Sequence, residues 1–389
     1  MQFVDLAAQK KRIRKKLEAN IYRVLDHGQY IMGPEVARLE EELAEFCDVK
    51  HALSCASGTD ALLLVLLANG IGPGDVVLTT PFTFIATAEV IRLAGAVPVF
   101  VDIEPSSFNI STSRLEQAIA ALKNWDNRLY PLPRIKDARG LKPKAIIAVD
   151  LFGLPADYDR INAIAGEHEL IVIEDAAQAF GARYQGKAAC TLADVACTSF
   201  FPAKPLGGYG DGGMCFTDSD TMAGRIRSLR IHGKGKDKYD NIRIGINGRL
   251  DTLQAAILLA KSEIFGDEVK LRRQAADRYT ELLKGAGLVT PVEPDGYESI
   301  WAQYSLLARD EKTRRTLQTH LKEAGIPTAI YYPIPLHLQT VFSDFGYKEG
   351  DFPVSENCSR RIFSLPMHPY LIQDQQEKVV KAILEVSSE

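Results

Sequence analysis

Residues 144–176 read KAIIAVDLFGLPADYDRINAIAGEHELIVIEDA, and this stretch decides the fold class. KAIIAVDLF and LIVIEDA are short and rich in Val and Ile, as strands buried on both faces are. Residues 158–168 between them carry a helical pattern. A strand, a helix and a second strand in this order imply a parallel pair with the helix laid over one face. Working outward, the same alternation repeats. DVVLTT and VPVFVDI read as strands upstream, and VACTSFF and GGMCFTD as strands downstream. Helical stretches lie around 84–93 and 112–123, and GTDALLLVLLANG reads as a buried helix ended by Gly70. The expectation is an α/β domain built on a mostly parallel sheet.

Both ends of the chain extend this unit. The cluster KKRIRKK alternates with Ile13, Leu17 and Ile21, which reads as the wet face of an N-terminal helix. Pro34 suits a first helical position, with Val36, Leu39, Leu43 and Phe46 following at helical spacing. Asp251 is a plausible N-cap for a long helix that runs through Leu283. Beyond it come the strand WAQYSLLA, a helix over 313–324, the strand TAIYY and a last helix over 373–386. We therefore expect a large domain over 1–264 and a smaller α+β domain over 265–389. Residues 124–144 are polar, Pro-containing and aperiodic, and read as a surface loop inserted before a core strand.

The chain has 389 residues and a formal net charge of −4, so it has no basic excess with which to neutralise nucleic-acid phosphates. Its six cysteines form no CxxC pair and sit mostly in apolar runs, which reads as reduced core residues rather than metal ligands. The N-terminus lacks the apolar region of a signal peptide, and no apolar run is long enough to span a bilayer. The expected location is cytoplasmic, with no membrane and no nucleic-acid partner.

The chemistry gathers at strand ends. In SFFPAKPLGGYGDGG, Lys204 stands between prolines, after two phenylalanines and before a run of glycines. Apolar surroundings disfavour the ammonium form and make an amine a nucleophile, as a Schiff-base lysine requires. Snorkelling at a strand end fits Lys204 alone equally well. Glu174 and Asp175 end an apolar strand, where ligands of open α/β sheets bind. A carboxylate there can pair with a protonated ring nitrogen such as that of pyridoxal phosphate, with Gln178 near the ring hydroxyl; Asp175 is also a possible helix N-cap. Ser57, Gly58 and Thr59 stand just before a helix, an arrangement that suits a phosphate or simple capping, with the Ser199 hydroxyl as a further donor. Phe84 follows a strand, where its ring could stack on a flat ligand or belong to the core.

These segments resemble the DegT/StrS family of pyridoxal-phosphate sugar aminotransferases over essentially the whole chain. The matching pieces are GPEVARLEEELAEF, SGTDALLL, TPFTFIATAE, VDLFGLPAD, IEDAAQAFGA, SFFPAKPLGGYGDGG, GINGRLDTLQAAIL and SLPMHPYL. The resemblance implies fold type I, with pyridoxal 5'-phosphate as cofactor and Lys204 as its covalent attachment and proton carrier. It implies that Asp175 pairs with the ring nitrogen and Gln178 meets the ring hydroxyl. Gly58, Thr59 and Ser199 would hold the phosphate, and Phe84 would stack on the ring. Asn247 would reach the phosphate from a neighbouring subunit of a homodimer with shared sites.

HGQYIMGPEV, RLDTLQAAIL and YPIPLHLQ look most like the WbpE/WlbC branch, which takes nitrogen from glutamate to carbon 3 of UDP-2-acetamido-2-deoxy-3-keto-D-glucuronic acid for cell-surface polysaccharide such as lipopolysaccharide O-antigen. By that analogy Gly28, Tyr30, Arg249, Tyr331 and Tyr332 line the sugar-nucleotide site. The chain departs from the branch pattern at Ala203, Gly208 and Tyr331, and in the length of the 124–144 segment. Other readings are an aminotransferase for a 3- or 4-keto-6-deoxyhexose nucleotide, a sugar dehydratase, and a non-catalytic regulator. The dehydratases of this scaffold carry histidine at the place of Lys204.

Overall fold

The computed structural model describes residues 1–136, 138–237 and 239–387. Helices α1 (Leu6–His27), α2 (Pro34–Cys47), α3 (Gly58–Ala68), α4 (Ala86–Leu93), α5 (Thr112–Asn124), α6 (Tyr158–Glu167) and α7 (Asp220–Leu229) accompany seven strands. These are β1 (His51–Cys55), β2 (Asp75–Thr79), β3 (Val97–Phe100), β4 (Lys142–Val149), β5 (Ile171–Asp175), β6 (Val195–Ser199) and β7 (Gly213–Thr217). The strands form one sheet in the order β1-β7-β6-β5-β4-β2-β3. Strands β3, β2, β4, β5 and β6 run parallel, and β7 is antiparallel to both its neighbours. This is the α/β architecture on a mostly parallel sheet that the sequence predicts.

Period-two alternation explains why both faces are apolar. Val76, Leu78, Ile146, Ala148 and Val172 pack with α5 and α6 on one face. Val77, Ala145, Ile147 and Ile173 pack with α3, α4 and α7 on the other. Because β2, β4, β5 and β6 are parallel, Thr79, Val149, Asp175 and Ser199 all arrive at one edge of the sheet.

Helix α8 (Thr252–Leu282) runs without a break from this sheet past Phe265 into the C-terminal part. There the strands β8 (Tyr304–Leu307) and β9 (Ile362–Leu365) pair antiparallel, with α9 (Glu311–Glu323), α10 (Pro353–Arg361) and α11 (Gln373–Ser387) about them. Tyr279 of α8 shares its core with Leu306, Leu317, Phe363 and Val379. Helix α1 lies along α8 through Gln9, Ile13, Leu17 and Asn20. Asn20 donates to the Ala256 carbonyl at 3.1 Å, and Gln9 donates to Glu268. All six cysteines are free and buried. Among the described residues no helix is long and apolar enough to cross a membrane.

Two expectations need correction. TAIYY is no strand; only Ala329 bridges to Ser364, and Pro327 and Pro333 on either side withhold the amide donors a ladder needs. The 124–144 segment is not simply a surface loop. Tyr130 and Leu132 insert into the core beside Phe345 and Phe352, and the Tyr130 hydroxyl accepts from the Asp102 amide at 2.9 Å. Lys142–Lys144 already belong to β4, and Asp137 lies outside the described residues.

Candidate active site

Lys204 sits in the turn after β6, with its amide donating to the Phe201 carbonyl at 2.8 Å. Gly207 lets that turn close on itself, because a Cβ there would stand 2.6 Å from the Phe201 oxygen. The lysine is half-buried. Burial pulls its pKa down to about 8, partly offset by attraction to Asp175. About a tenth of the amine is therefore neutral, and nucleophilic, at pH 7, far more than for an ordinary lysine.

Asp175 ends β5 and is 5% exposed. Burial raises its pKa, while hydrogen bonds and Lys204 oppose the rise. The Thr87 hydroxyl donates to its Oδ2 at 2.8 Å, and the Ala177 amide to its Oδ1 at 3.2 Å. Thr87 was not singled out from the sequence. It stands one helical turn from Thr83 inside TPFTFIATAE, and its hydroxyl lies 3.2 Å from that of Thr83. Only the fold shows that this threonine faces β5.

Gln178 is fixed at both ends of its amide. Its Oε1 accepts from the Phe152 amide at 2.7 Å, and its Nε2 donates to the Tyr332 hydroxyl at 3.2 Å. Tyr332 lies 6.4 Å from the half-exposed ring of Phe84 and 5.8 Å from Tyr331, centroid to centroid. The Leu336 amide donates to the Pro81 carbonyl, tying YPIPLHL to the loop that carries Phe84. Phe84, Asp175, Gln178, Tyr331 and Tyr332 are thus brought together.

The N-terminus of α3 meets the end of β6. Ser57 caps the helix, its Oγ accepting from the Asp60 amide at 3.0 Å. The amides of Gly58 and Thr59 occupy the first turn, where a helix has no partner of its own to offer. A Cβ at Gly58 would stand 2.7 Å from the Ser199 Cβ, so glycine is what allows helix and strand this close. These features fit pyridoxal phosphate. A cradle of helix amides suits its phosphate, a buried carboxylate with two donors suits a ring N–H, and an amine of lowered pKa suits its aldehyde.

The remaining expected residues lie elsewhere. Asn247 and Arg249 line a cavity of about 490 Å³ together with Ile31, Ser57, Asp211 and Gln254. Arg249 Nε is buried there without a hydrogen-bond partner among the described residues. Gly28 caps α1 with a φ of 68°, and the Tyr30 carbonyl accepts from the Thr252 amide at 2.9 Å. That contact lays the Tyr30–Ile31 strip against the start of α8, on the Arg249 side. Ser57 lies on the wall of this cavity and Lys204 does not. Ile31, Asp211 and Gln254 carried no signal in the sequence, because nothing in their spacing links them to Arg249.

The family model for the "DegT/DnrJ/EryC1/StrS aminotransferase family" matches residues 11–384. A Pseudomonas aeruginosa protein named UDP-2-acetamido-2-deoxy-3-oxo-D-glucuronate aminotransferase is 49% identical over 95% of this chain and 96% of its own. A Geobacillus stearothermophilus protein named pleiotropic regulatory protein is 44% identical over 98% of this chain and 97% of its own. The crystal structure of a DegT DnrJ EryC1 StrS aminotransferase from Brucella abortus superposes with a TM-score of 0.93 at 48% identity, covering 100% of both chains.

Proposed function

Since this chain belongs to the DegT/DnrJ/EryC1/StrS aminotransferase family and is a pyridoxal-phosphate-dependent sugar aminotransferase, we propose that it moves nitrogen from glutamate to UDP-2-acetamido-2-deoxy-3-keto-D-glucuronic acid. The product would feed cell-surface polysaccharide, and the reaction belongs in the cytoplasm. The observation that carries the choice of sugar is Arg249, whose Nε is buried without a hydrogen-bond partner among the described residues, on a side chain that lines an open cavity. A guanidinium meets a carboxylate through two parallel N–H donors, and a uronic acid offers that carboxylate at carbon 6. The likeness to the Pseudomonas aeruginosa enzyme points the same way.

Bound pyridoxal phosphate supplies the electron sink that stabilises negative charge on the carbon losing its proton. The chain supplies position and proton transfer. In this reading Asp175, kept ionised by Thr87 and Ala177, holds the ring N–H. The α3 amides of Gly58 and Thr59, with Ser199, hold the phosphate. Gln178 and Phe84 orient the ring. Lys204 Nζ carries the covalent attachment, and once released it accepts the substrate proton and returns it. Glutamate and the keto-sugar use the same site in turn.

The active sites are shared within a homodimer. Arg249 and Asn247 do not wall the same cavity as Lys204 in one chain, and the arm leading to them exposes Ile242 by 55% and Ile244 by 94%. A second copy that covers those isoleucines would bring Asn247 and Arg249 to its own Lys204. The test of the sugar compares the 3-keto uronic acid with a neutral 4-keto-6-deoxy sugar nucleotide. Wild-type enzyme should prefer the acid, and Arg249→Lys, which keeps charge but loses the fork, should lower kcat/KM for it by about tenfold or more. Preference of the wild-type enzyme for the neutral sugar would overturn both the substrate and the role of Arg249.

A further inference from the structure

Behind Asp175 lies a buried pair of carboxyl groups that the cofactor reading does not use. Glu174 precedes Asp175 on β5 and stands beside Ala148 of β4 in register. Period-two alternation turns Glu174 away from the Asp175 face, toward the face covered by α5 and α6. Asp150 directly follows β4. Its amide donates to the Asp175 carbonyl at 3.1 Å, and its side chain meets Tyr158 of α6 on the Glu174 face. Asp150 and Glu174 are both 0% exposed, and their side chains are hydrogen-bonded to each other. Two ionised carboxylates cannot make that bond, because each can only accept. One of them holds a proton.

The neighbours show which one. Glu174 Oε1 accepts from the Cys190 amide at 2.6 Å and its Oε2 from the Leu192 amide at 3.0 Å. Donors on both oxygens favour the carboxylate form. Asp150 is served on one side alone: its Oδ1 accepts from the Ala156 amide at 2.9 Å and from the Tyr158 hydroxyl at 2.9 Å. No described protein group donates to its buried Oδ2, so a proton on that oxygen meets no competing donor. The other titratable groups about the pair are Asp175, Tyr158, Cys190, Cys197 and Tyr297. No lysine or arginine is among the groups that act most strongly on it. Burial and the charge of Glu174 push the Asp150 carboxyl well above the carboxylate range. Burial raises Glu174 as well, but the two amides and Asp150 oppose the rise.

We propose that Asp150 is a neutral carboxylic acid in the folded enzyme, and that its Oδ2–H donates to the Glu174 carboxylate and ties the end of β4 to β5 directly behind Asp175. Two ionised groups here would bury like charges side by side with no cation to offset them. One shared proton leaves a single charge, held by two amides and an O–H. Asp150 is a positioning residue: it acts through the Asp175 carbonyl and the neighbouring Glu174. That role rests on Asp175 being the partner of the cofactor ring; the shared proton does not. In the unfolded chain Asp150 ionises near about pH 4. Its folded value lies well above that, so through neutral pH the fold holds one proton more than the unfolded chain. The stability this contributes is full at acid pH and is lost as pH rises toward the folded value.

Infrared spectroscopy of the full chain without cofactor tests the proton. At pH 7 the difference between wild type and Asp150→Asn should contain the C=O band of one carboxylic acid, and its absence overturns the proposal. Tyr158→Phe removes a donor to Oδ1, so it should shift the same band, and it serves if Asp150→Asn does not fold. Urea unfolding gives a second readout. The unfolding constant of wild type relative to Asp150→Asn should grow about tenfold per pH unit between about pH 6 and 8; a constant ratio means that Asp150 is already ionised in the fold. Glu174→Gln sets an NH₂ group against the Cys190 or Leu192 amide and should lower the urea midpoint more than Asp150→Asn does. The reverse order puts the proton on Glu174 and overturns the assignment. For the support of Asp175, Asp150→Leu should weaken cofactor binding about tenfold in equilibrium dialysis, and Asp150→Asn, which keeps an N–H donor, should restore most of it. Wild-type binding by Asp150→Leu rejects the positioning role. Full retention of cofactor by Asp175→Asn would instead overturn the functional reading and leave the infrared band standing.

Discussion

At the scale of single residues, the chemistry depends on which of two buried groups carries charge. Lys204 is drawn toward its neutral form and Asp175 must stay ionised. Borohydride reduction of the loaded enzyme followed by peptide mapping should place the cofactor on Lys204; a label on any other lysine rejects the assignment. Lys204→Ala should lower turnover by several orders of magnitude, since nucleophile and proton carrier go together. Capture of cofactor by the bare chain should speed up as pH rises through about 8, because the neutral amine is the reacting form. For Asp175 the sign is opposite. The Thr87 hydroxyl favours the carboxylate, so Thr87→Val should raise the pKa of Asp175 and move acid-induced cofactor loss to higher pH. Cofactor affinity at pH 7 should fall by about tenfold, as expected for one hydrogen bond to a charged group. Equilibrium dialysis across pH checks this, and an unshifted loss curve would show that Thr87 does not tune the carboxylate. Lys204 and Asp175 could be singled out from sequence because an ionisable residue in an apolar run is anomalous wherever it folds. Thr87 could not, because a threonine in a helix looks ordinary until β5 lies beside it.

At the scale of elements, legibility followed length and apolarity. The strands β2 to β7 and the long helices each carry a pattern that one sequence window contains. HALSC, the source of β1, has a mostly buried histidine at one end and a buried serine within, and Glu40 and Arg230 of distant segments hold that serine. Its pairing with β7 is a tertiary fact. The same holds for β9, which pairs with β8 and takes a single further bridge from Ala329, and for residues 124–144, whose Tyr130 finds its core far along the chain at Phe345 and Phe352. The junction of α3 with β6 is the element-level feature most open to test. Gly58→Ala places a methyl group against Ser199 and should separate the helix from the strand. We expect a loss of stability of about 1–3 kcal/mol, typical of overpacking. Cofactor should also wash out on gel filtration, because the amides and the Ser199 hydroxyl no longer converge. A variant that melts lower yet retains cofactor would separate the junction from phosphate binding.

At the scale of the whole molecule, a single chain leaves its site residues in two groups. Lys204, Asp175, Gln178 and Tyr332 gather at the ends of β5 and β6, whereas Asn247 and Arg249 line the cavity beyond the α3 N-terminus. The spacing of Asn247 and Arg249 put both on one side of an extended backbone, but no sequence pattern states which chain they serve. The exposed isoleucines on the same arm supply a reason for association, since apolar side chains exposed to this degree gain by being covered. If each site takes Lys204 from one protomer and Asn247 from the other, two inactive variants can complement. Mixing Lys204→Ala with Asn247→Ala chains yields heterodimers in which one site carries both native residues and the other carries neither. Random exchange makes about half the dimers mixed, each with one of two sites intact, so activity should recover to about a quarter of the wild-type level. Sites built within one chain would instead leave every site in the mixture with one defect, and activity would stay at the level of the separate variants. Native mass spectrometry of the mixture shows whether subunits have exchanged. Exchange without recovery rejects sharing across the interface.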